Sequence, residues 1–282
     1  MKIFSKSHEM QEWSIQQKRA GKTIGLVPTM GFLHEGHLSL VKRARTDCQI
    51  VAVSIFVNPL QFGVGEDFDE YPRDITRDCE LLEKEGVDAV FSPSISDMYN
   101  PGFSTTVEVT GPVTERLCGA SRPGHFKGVC TVVSKLFHIC LPDRAYFGQK
   151  DAQQAVVIEK MVRELNFPLK IVRGPTVREA DGLALSSRNS YLKPEERESG
   201  LVLSQALGLA REMIDQGENR PEIVRDAMVE LIESRPHTKI DYVEICSGED
   251  LSPLTAIEGE VLIALAVQIG ATRLIDNLLL EV

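Results

Sequence analysis

Short apolar runs closed by turn residues alternate along this chain with longer stretches in which apolar side chains recur every three or four positions. The runs cover Thr23 to Val27, Ile50 to Val57, Val87 to Phe91, Arg144 to Phe147 and Leu169 to Val172, and each reads as a strand. Between most of them the spacing predicts helices over Leu38 to Arg45, Asp74 to Glu85, Phe126 to Leu141 and Ala152 to Leu165. Strands that alternate with helices specify a parallel sheet covered on both faces.

The texture changes after Val177. A polar loop, READGLALSSRNS, leads into helical patterns over Pro194 to Gln216 and Pro221 to Glu233, and three apolar runs follow at Ile240 to Ile245, Val261 to Ile269 and Arg273 to Leu280. We therefore expect an α/β parallel-sheet domain over residues 1–177 and a smaller α+β domain over residues 178–282.

Composition narrows the classes. A chain of 282 residues that is 43% hydrophobic can bury a substantial core. Its net charge of −10, with no long run of Lys and Arg, argues against a nucleic-acid or membrane-surface binder. The N-terminal MKIFSKSHEMQEW has no apolar core of a signal peptide, and no apolar run approaches the roughly 18 residues of a membrane span, so a cytoplasmic location is expected. The six cysteines form no CxxC pair, which predicts buried free thiols rather than a zinc or disulfide framework.

The candidate chemistry starts at TIGLVPTMGFLHEGHLSLVKRA, where an apolar run breaks at Pro28 and Gly31 and resumes as an amphipathic helix. Strand, glycine turn and helix in that order aim unpaired N–H groups at the sheet edge, a place suited to an anion. His34 and His37 share a helical face there. They read either as caps of the helix start or as donors to charge on a phosphate, while a zinc site lacks the spacing and a third ligand. Gly31 and Gly36 permit close backbone approach.

RAYFGQKDAQQ repeats the arrangement: Asp151 and Gln154 match a capping box, and Lys150 puts an ammonium beside a helix start. In VREADGLALSSRNSYL, Gly182 offers mobility, Ser186 and Ser187 offer hydroxyls, and Arg188 offers a planar fork, although by itself the segment reads as a polar linker. SIFVNPLQF puts Asn58 and Gln61 at the carboxyl end of a strand, either as ligand contacts or as turn residues. No GxxxxGK(S/T) loop and no GxSxG elbow occurs.

Read together, PTMGFLHEGH, FVNPLQF, YPRD, RPGHFKGV, FGQKDAQQ and PTVREADGLALSSRN resemble the pantoate–β-alanine ligases over nearly the whole chain. That family belongs with the HxGH nucleotidyltransferases. The resemblance implies a Rossmann-type first domain, a smaller second domain that partly lids the cleft, ATP as substrate, Mg²⁺ and a homodimer. It implies ATP contacts at Met30, Gly31, Phe32, Leu33, His34, Glu35, Gly36, His37, Gly148, Gln149, Lys150, Asp151, Val177, Leu185, Ser186, Ser187 and Arg188. Catalytic roles fall on His34, His37, Lys150 and Arg188, and pantoate contacts on Gln61 and Gln154, with Gln61 also beside β-alanine. Asn58, Arg122 and His125 are further candidates. The metal ligands stay open: Asp78 and its neighbours in YPRDITRD read either as water-mediated Mg²⁺ partners or as a solvated helix face.

The implied reaction joins (R)-pantoate and β-alanine through a pantoyl adenylate, releasing pyrophosphate and then AMP. An alternative, another HxGH nucleotidyltransferase, would lack the amide pair Gln61 and Gln154. A noncatalytic nucleotide sensor would bind ATP without exchanging pyrophosphate.

Overall fold

The computed structural model describes residues Met1 to Val282. Its strands are β1 (Lys2–Phe4), β2 (Ile24–Thr29), β3 (Ile50–Ile55), β4 (Ala89–Phe91), β5 (Arg144–Gly148), β6 (Lys170–Gly174), β7 (Thr238–Ser247), β8 (Glu260–Ile269) and β9 (Thr272–Glu281). The helices are α1 (Ser7–Arg19), α2 (Glu35–Asp47), α3 (Ile75–Lys84), α4 (Ile95–Met98), α5 (Pro112–Glu115), α6 (Cys118–Ser121), α7 (His125–Cys140), α8 (Ala152–Glu164), α9 (Pro194–Gly200), α10 (Val202–Asp215) and α11 (Pro221–Glu233). No helix is long and apolar enough to cross a membrane.

The chain packs into two compact units. One comprises Met1–Val109, Arg122–Gly148 and Val157–Pro175, and the other Thr110–Ser121, Gln149–Val156 and Thr176–Val282.

The first unit is built on a six-stranded sheet in the order β1-β4-β3-β2-β5-β6, parallel throughout. Every residue of β3 is buried, which requires cover on both faces. Val27, Val51 and Val53 pack with Leu38 and Val41 of α2, whereas α1 and α7 pack on each other and on β2. The strand order reverses direction between β2 and β5, the switch point at whose carboxyl edge such sheets hold ligands. Pro28 contributes to that opening. It has no N–H to give, and the β2–β5 ladder stops at Leu26 and Ala145, while β2 stays paired with β3 as far as Thr29.

The second unit carries an antiparallel sheet, β7-β8-β9. Val261, Ile263 and Leu265 of β8 join Leu203, Leu207 and Ala210 of α10 and Val224, Met228 and Ile232 of α11 in one core.

The expected strands and most of the expected helices are present. Strand β1 and helix α1 lie outside the pattern legible in sequence, and the helix expected over Pro194 to Gln216 is two, broken at Leu201. All six cysteines are free, and five are buried.

Candidate functional site

The loop that leaves β2 is held in a shape few residues accept. Gly31 has φ +87°, and a Cβ there would lie 2.9 Å from Ile55 and 3.1 Å from Asp78. Phe32 also has positive φ, at 51°. Asp78 of α3 fixes this turn: its Oδ2 accepts the Phe32 N–H and its Oδ1 the Leu33 N–H, both at 2.7 Å. The carboxylate is 0% exposed, so it lies on no solvated helix face, and both oxygens are taken by the loop rather than turned to a metal. Burial raises its pKa above the ordinary value, against the lowering effect of the two N–H groups and of Arg77.

That turn delivers His34 as the N-cap of α2 and His37 as the third residue of its first turn. His34 Nδ1 accepts the Gly36 N–H at 3.2 Å, and His37 Nδ1 accepts the His34 N–H at 3.3 Å. The rings lie 4.0 Å apart, tilted by 32°. Capping and phosphate chemistry are therefore not rival roles. A ring whose Nδ1 accepts carries its proton on Nε2, so each cap sets a tautomer that leaves Nε2–H as donor. The helix N-terminus adds its own preference for negative charge.

Gln61 lies in a short 3-10 turn, Pro59–Gln61, beyond β3. Its Oε1 accepts from Asn58 Nδ2 at 3.1 Å, and its Nε2 meets the Met30 sulfur at 3.3 Å, a weak acceptor that an oxygen ligand would readily replace. Asn58 is 0% exposed. It accepts from Tyr99 Oη and Leu60 N, and it donates to Gly128 O and Gln61 Oε1. With its amide fully committed, Asn58 supports the turn and has nothing left for a ligand. Helix α7 approaches so closely that a Cβ on Gly128 would fall 2.1 Å from Leu60 O, which gives that glycine of RPGHFKGV its reason.

Arg122, just before α7, and His125, its first residue, both reach the Gln61 carbonyl oxygen, at 3.3 and 2.8 Å. Arg122 also forms a two-pronged pair with Glu66, at 2.7 and 2.6 Å. Burial by itself would raise the Glu66 pKa, but the Arg122 guanidinium outweighs it and brings the value down to about 2.

In the second unit, Gln149–Asp151 forms a 3-10 turn that runs straight into α8. Asp151 ends that 3-10 turn, directly before the helix. The turn is tied to β9: Asn277 Nδ2 donates to the carbonyl oxygens of Gln149 and Lys150, each at 2.9 Å. Gln154 sits half-buried on the first turn of α8.

The segment from Val177 to Asn189 is not a linker. Leu185 N donates to Val177 O and Glu179 N to Leu183 O, making a small hairpin. Gly182, at φ +96°, forms its turn, so it serves conformation rather than mobility. Arg197 spans Glu179 and Asp181 across that turn, and Arg178 pairs with the buried Asp276 at 2.6 and 3.0 Å. Arg188 donates its N–H to Ser186 Oγ. Lys150, Ser186, Asn189 and Asp276 border one small pocket. The buried Oδ1 of Asn189 has no partner.

Sequence reasoning missed the supporting roles of Asp78, Asn277 and Glu66. Asp78 carries one signal, an acidic residue on the apolar face of an amphipathic helix. Asn277 and Glu66 carry none, because their partners lie 128 and 56 residues away.

Comparison with known proteins is consistent along the whole chain. Residues 2–279 match the model of the family described as pantoate–β-alanine ligase. A pantothenate synthetase of Syntrophomonas wolfei is 63% identical over 282 residues, covering 100% of both chains. The crystal structure of a Thermus thermophilus pantothenate synthetase superposes with a TM-score of 0.93 at 47% identity, covering 99% of each chain. A Francisella tularensis pantoate–β-alanine ligase complexed with β,γ-ATP and β-alanine matches with a TM-score of 0.81 at 34% identity, covering 99% of this chain and 97% of that one.

Proposed function

Because the chain belongs to the pantoate–β-alanine ligase family, it is a ligase that forms pantothenate from pantoate, β-alanine and ATP, and we propose that it works through a pantoyl adenylate. A pantoate carboxylate oxygen attacks the α-phosphorus of ATP, and the bond to the bridging oxygen breaks to release pyrophosphate. The β-alanine amine then attacks the acyl carbon, loses a proton and expels AMP.

The observation that carries this reading is the pair of Nε2–H donors set by the two Nδ1 caps of His34 and His37. Donors held in place before the reaction stabilise charge that grows on the phosphates without reorganising. Met30 to His37, Gly148 to Asp151, Val177 and Leu185 to Arg188 are assigned to ATP. Lys150 supplies a compact cation and Arg188 a planar one. Gln61 and Gln154 orient pantoate so that attack becomes effectively intramolecular, and Gln61 also lies beside β-alanine. The Francisella relative's complex with both ligands supports ATP and β-alanine as occupants.

No group of three or more His, Cys, Asp or Glu side chains is placed to hold a metal ion. Mg²⁺ is accordingly assigned to the triphosphate, as part of the substrate, with phosphate and water ligands. A homodimer and a cytoplasmic location complete the proposal; the free thiols suit a reducing compartment.

The test is exchange of labelled pyrophosphate into ATP. It should depend on pantoate and proceed without β-alanine; exchange that needs β-alanine would remove the adenylate from the scheme.

A further inference from the structure

Gln61 is held at both ends. Its side-chain amide rests between Asn58 and Met30, and its main-chain oxygen is gripped by two donors, Arg122 just before α7 and His125 at its start. The second grip has a single consistent proton arrangement. Arg122 can only donate, so the His125 Nε2 that meets Arg122 Nη1 at 3.1 Å is an acceptor. His125 therefore carries its proton on Nδ1 and gives it to Gln61 O at 2.8 Å.

Glu66 closes the chain of contacts. Its two oxygens take Nε–H and Nη2–H of Arg122, and Oε2 also accepts the Gly63 N–H at 3.1 Å. One edge of the guanidinium is thereby locked, which turns the remaining N–H groups toward His125 and Gln61. Arg122 and Glu66 are both largely buried, with side-chain exposures of 18% and 25%, so the pair escapes most of the solvent screening that weakens surface ion pairs.

We propose that Glu66, Arg122 and His125 form a positioning array that fixes the Gln61 main chain and so aims its amide at pantoate. None of the three is a catalytic residue here. The array acts through Gln61, and it rests on the assignment of Gln61 to pantoate. A three-residue turn by itself constrains its main chain little, and an amide misaimed by an ångström loses much of its value in binding.

Steady-state kinetics on the full-length enzyme test this with four variants. His125→Ala should raise the pantoate KM roughly three- to tenfold, the effect of one lost hydrogen bond, with the ATP KM unchanged. His125→Asn presents an amide N–H near the position of Nδ1 and should restore most of the loss, which a merely structural role would not produce. Glu66→Gln should also raise the pantoate KM, by loosening Arg122. Gln61→Ala is the control for the underlying assignment. If it leaves the pantoate KM unchanged, that assignment fails and the array falls with it. If it raises the constant while His125→Ala does not, the array alone is overturned. A lower pantoate KM in Glu66→Gln would also overturn it, since Arg122 would then be a ligand cation masked by Glu66.

Discussion

His37 accepts the backbone N–H of His34 through Nδ1 at 3.3 Å, so the second histidine of the helix start is tied to the backbone of the first. The cap uses Nδ1 and the proposed chemistry Nε2, which makes them separable. Asn is a strong N-cap and keeps an acceptor near Nδ1 but has nothing in place of Nε2–H. His34→Asn should therefore keep its melting temperature while single-turnover adenylation slows by roughly 10² to 10³. His37→Ala should lose a similar rate factor and also some stability, by about 1 kcal/mol, because the His34 N–H loses its partner. Wild-type adenylation in both variants at saturating ATP would leave the histidines with capping alone.

The buried Asp78 carboxylate makes a second prediction, since Asn offers one acceptor where the loop needs two. In Asp78→Asn one of the Phe32 and Leu33 N–H groups faces an amide NH₂, at a cost of about 1–3 kcal/mol, partly offset by removing a buried charge. The loop proposed to hold ATP should loosen, and kcat/KM for ATP should fall about tenfold or more. Linkage adds a signature. The native pKa lies above the reference value of 3.8, so the folded state keeps this proton to higher pH than the unfolded chain. Wild-type stability should fall as pH rises from 3.8 through the native value, and the variant should lack that slope. Unchanged ATP kinetics in Asp78→Asn would show that the loop holds its shape without the carboxylate.

Glu66 predicts the opposite slope. Its native pKa is about 2 against a reference of 4.5, so the unfolded chain takes up this proton first as the solution is acidified. The stabilisation is complete above about 4.5 and disappears as pH falls toward 2. Urea unfolding of wild type and Glu66→Gln across that interval should converge at the acid end and separate above it. Parallel curves would mean that the Arg122 pair does not survive in solution.

These residues also mark what can be read from sequence. The glycine turn, the strand before it and the two histidines are legible because their signals are local: an apolar run, a glycine that ends it, a three-residue spacing. Helix α1 is not, because SHEMQEWSIQQKR spreads few apolar residues through a polar background and relies on Met10 and Trp13 for its buried face. Strand β1 is three residues at a sheet edge, too short for a pattern. Asp78 misleads since charge in a helix ordinarily means solvent, and only the fold brings the Phe32 and Leu33 N–H groups to it. The same holds for Asn277 beneath Lys150 and for Glu66 on Arg122. Local chemistry announces the groups that face a ligand, whereas the groups that hold them are chosen by distant contacts.

Lys150 and Arg188 give the last prediction. Both belong to the second unit, and Lys150 borders the same cavity as Ser186 and Asn189, which flank Arg188 closely in sequence. Their anchors differ. Lys150 extends from a turn whose carbonyl groups are pinned by Asn277, and its ammonium on a four-carbon stem can follow charge as it moves between phosphate oxygens. Arg188 is on a short turn stabilised by Ser186 and presents a planar fork that suits a phosphate already bound. Lys150→Ala should therefore lower kcat with little change in the ATP KM, whereas Arg188→Ala should lower kcat and raise that KM as well. Groups that neutralise one phosphate cannot lose their effects independently, so the double variant should fall short of the product of the single losses in single-turnover adenylation. Strict additivity in that cycle would place the two cations on separate charges and remove the shared-phosphate assignment.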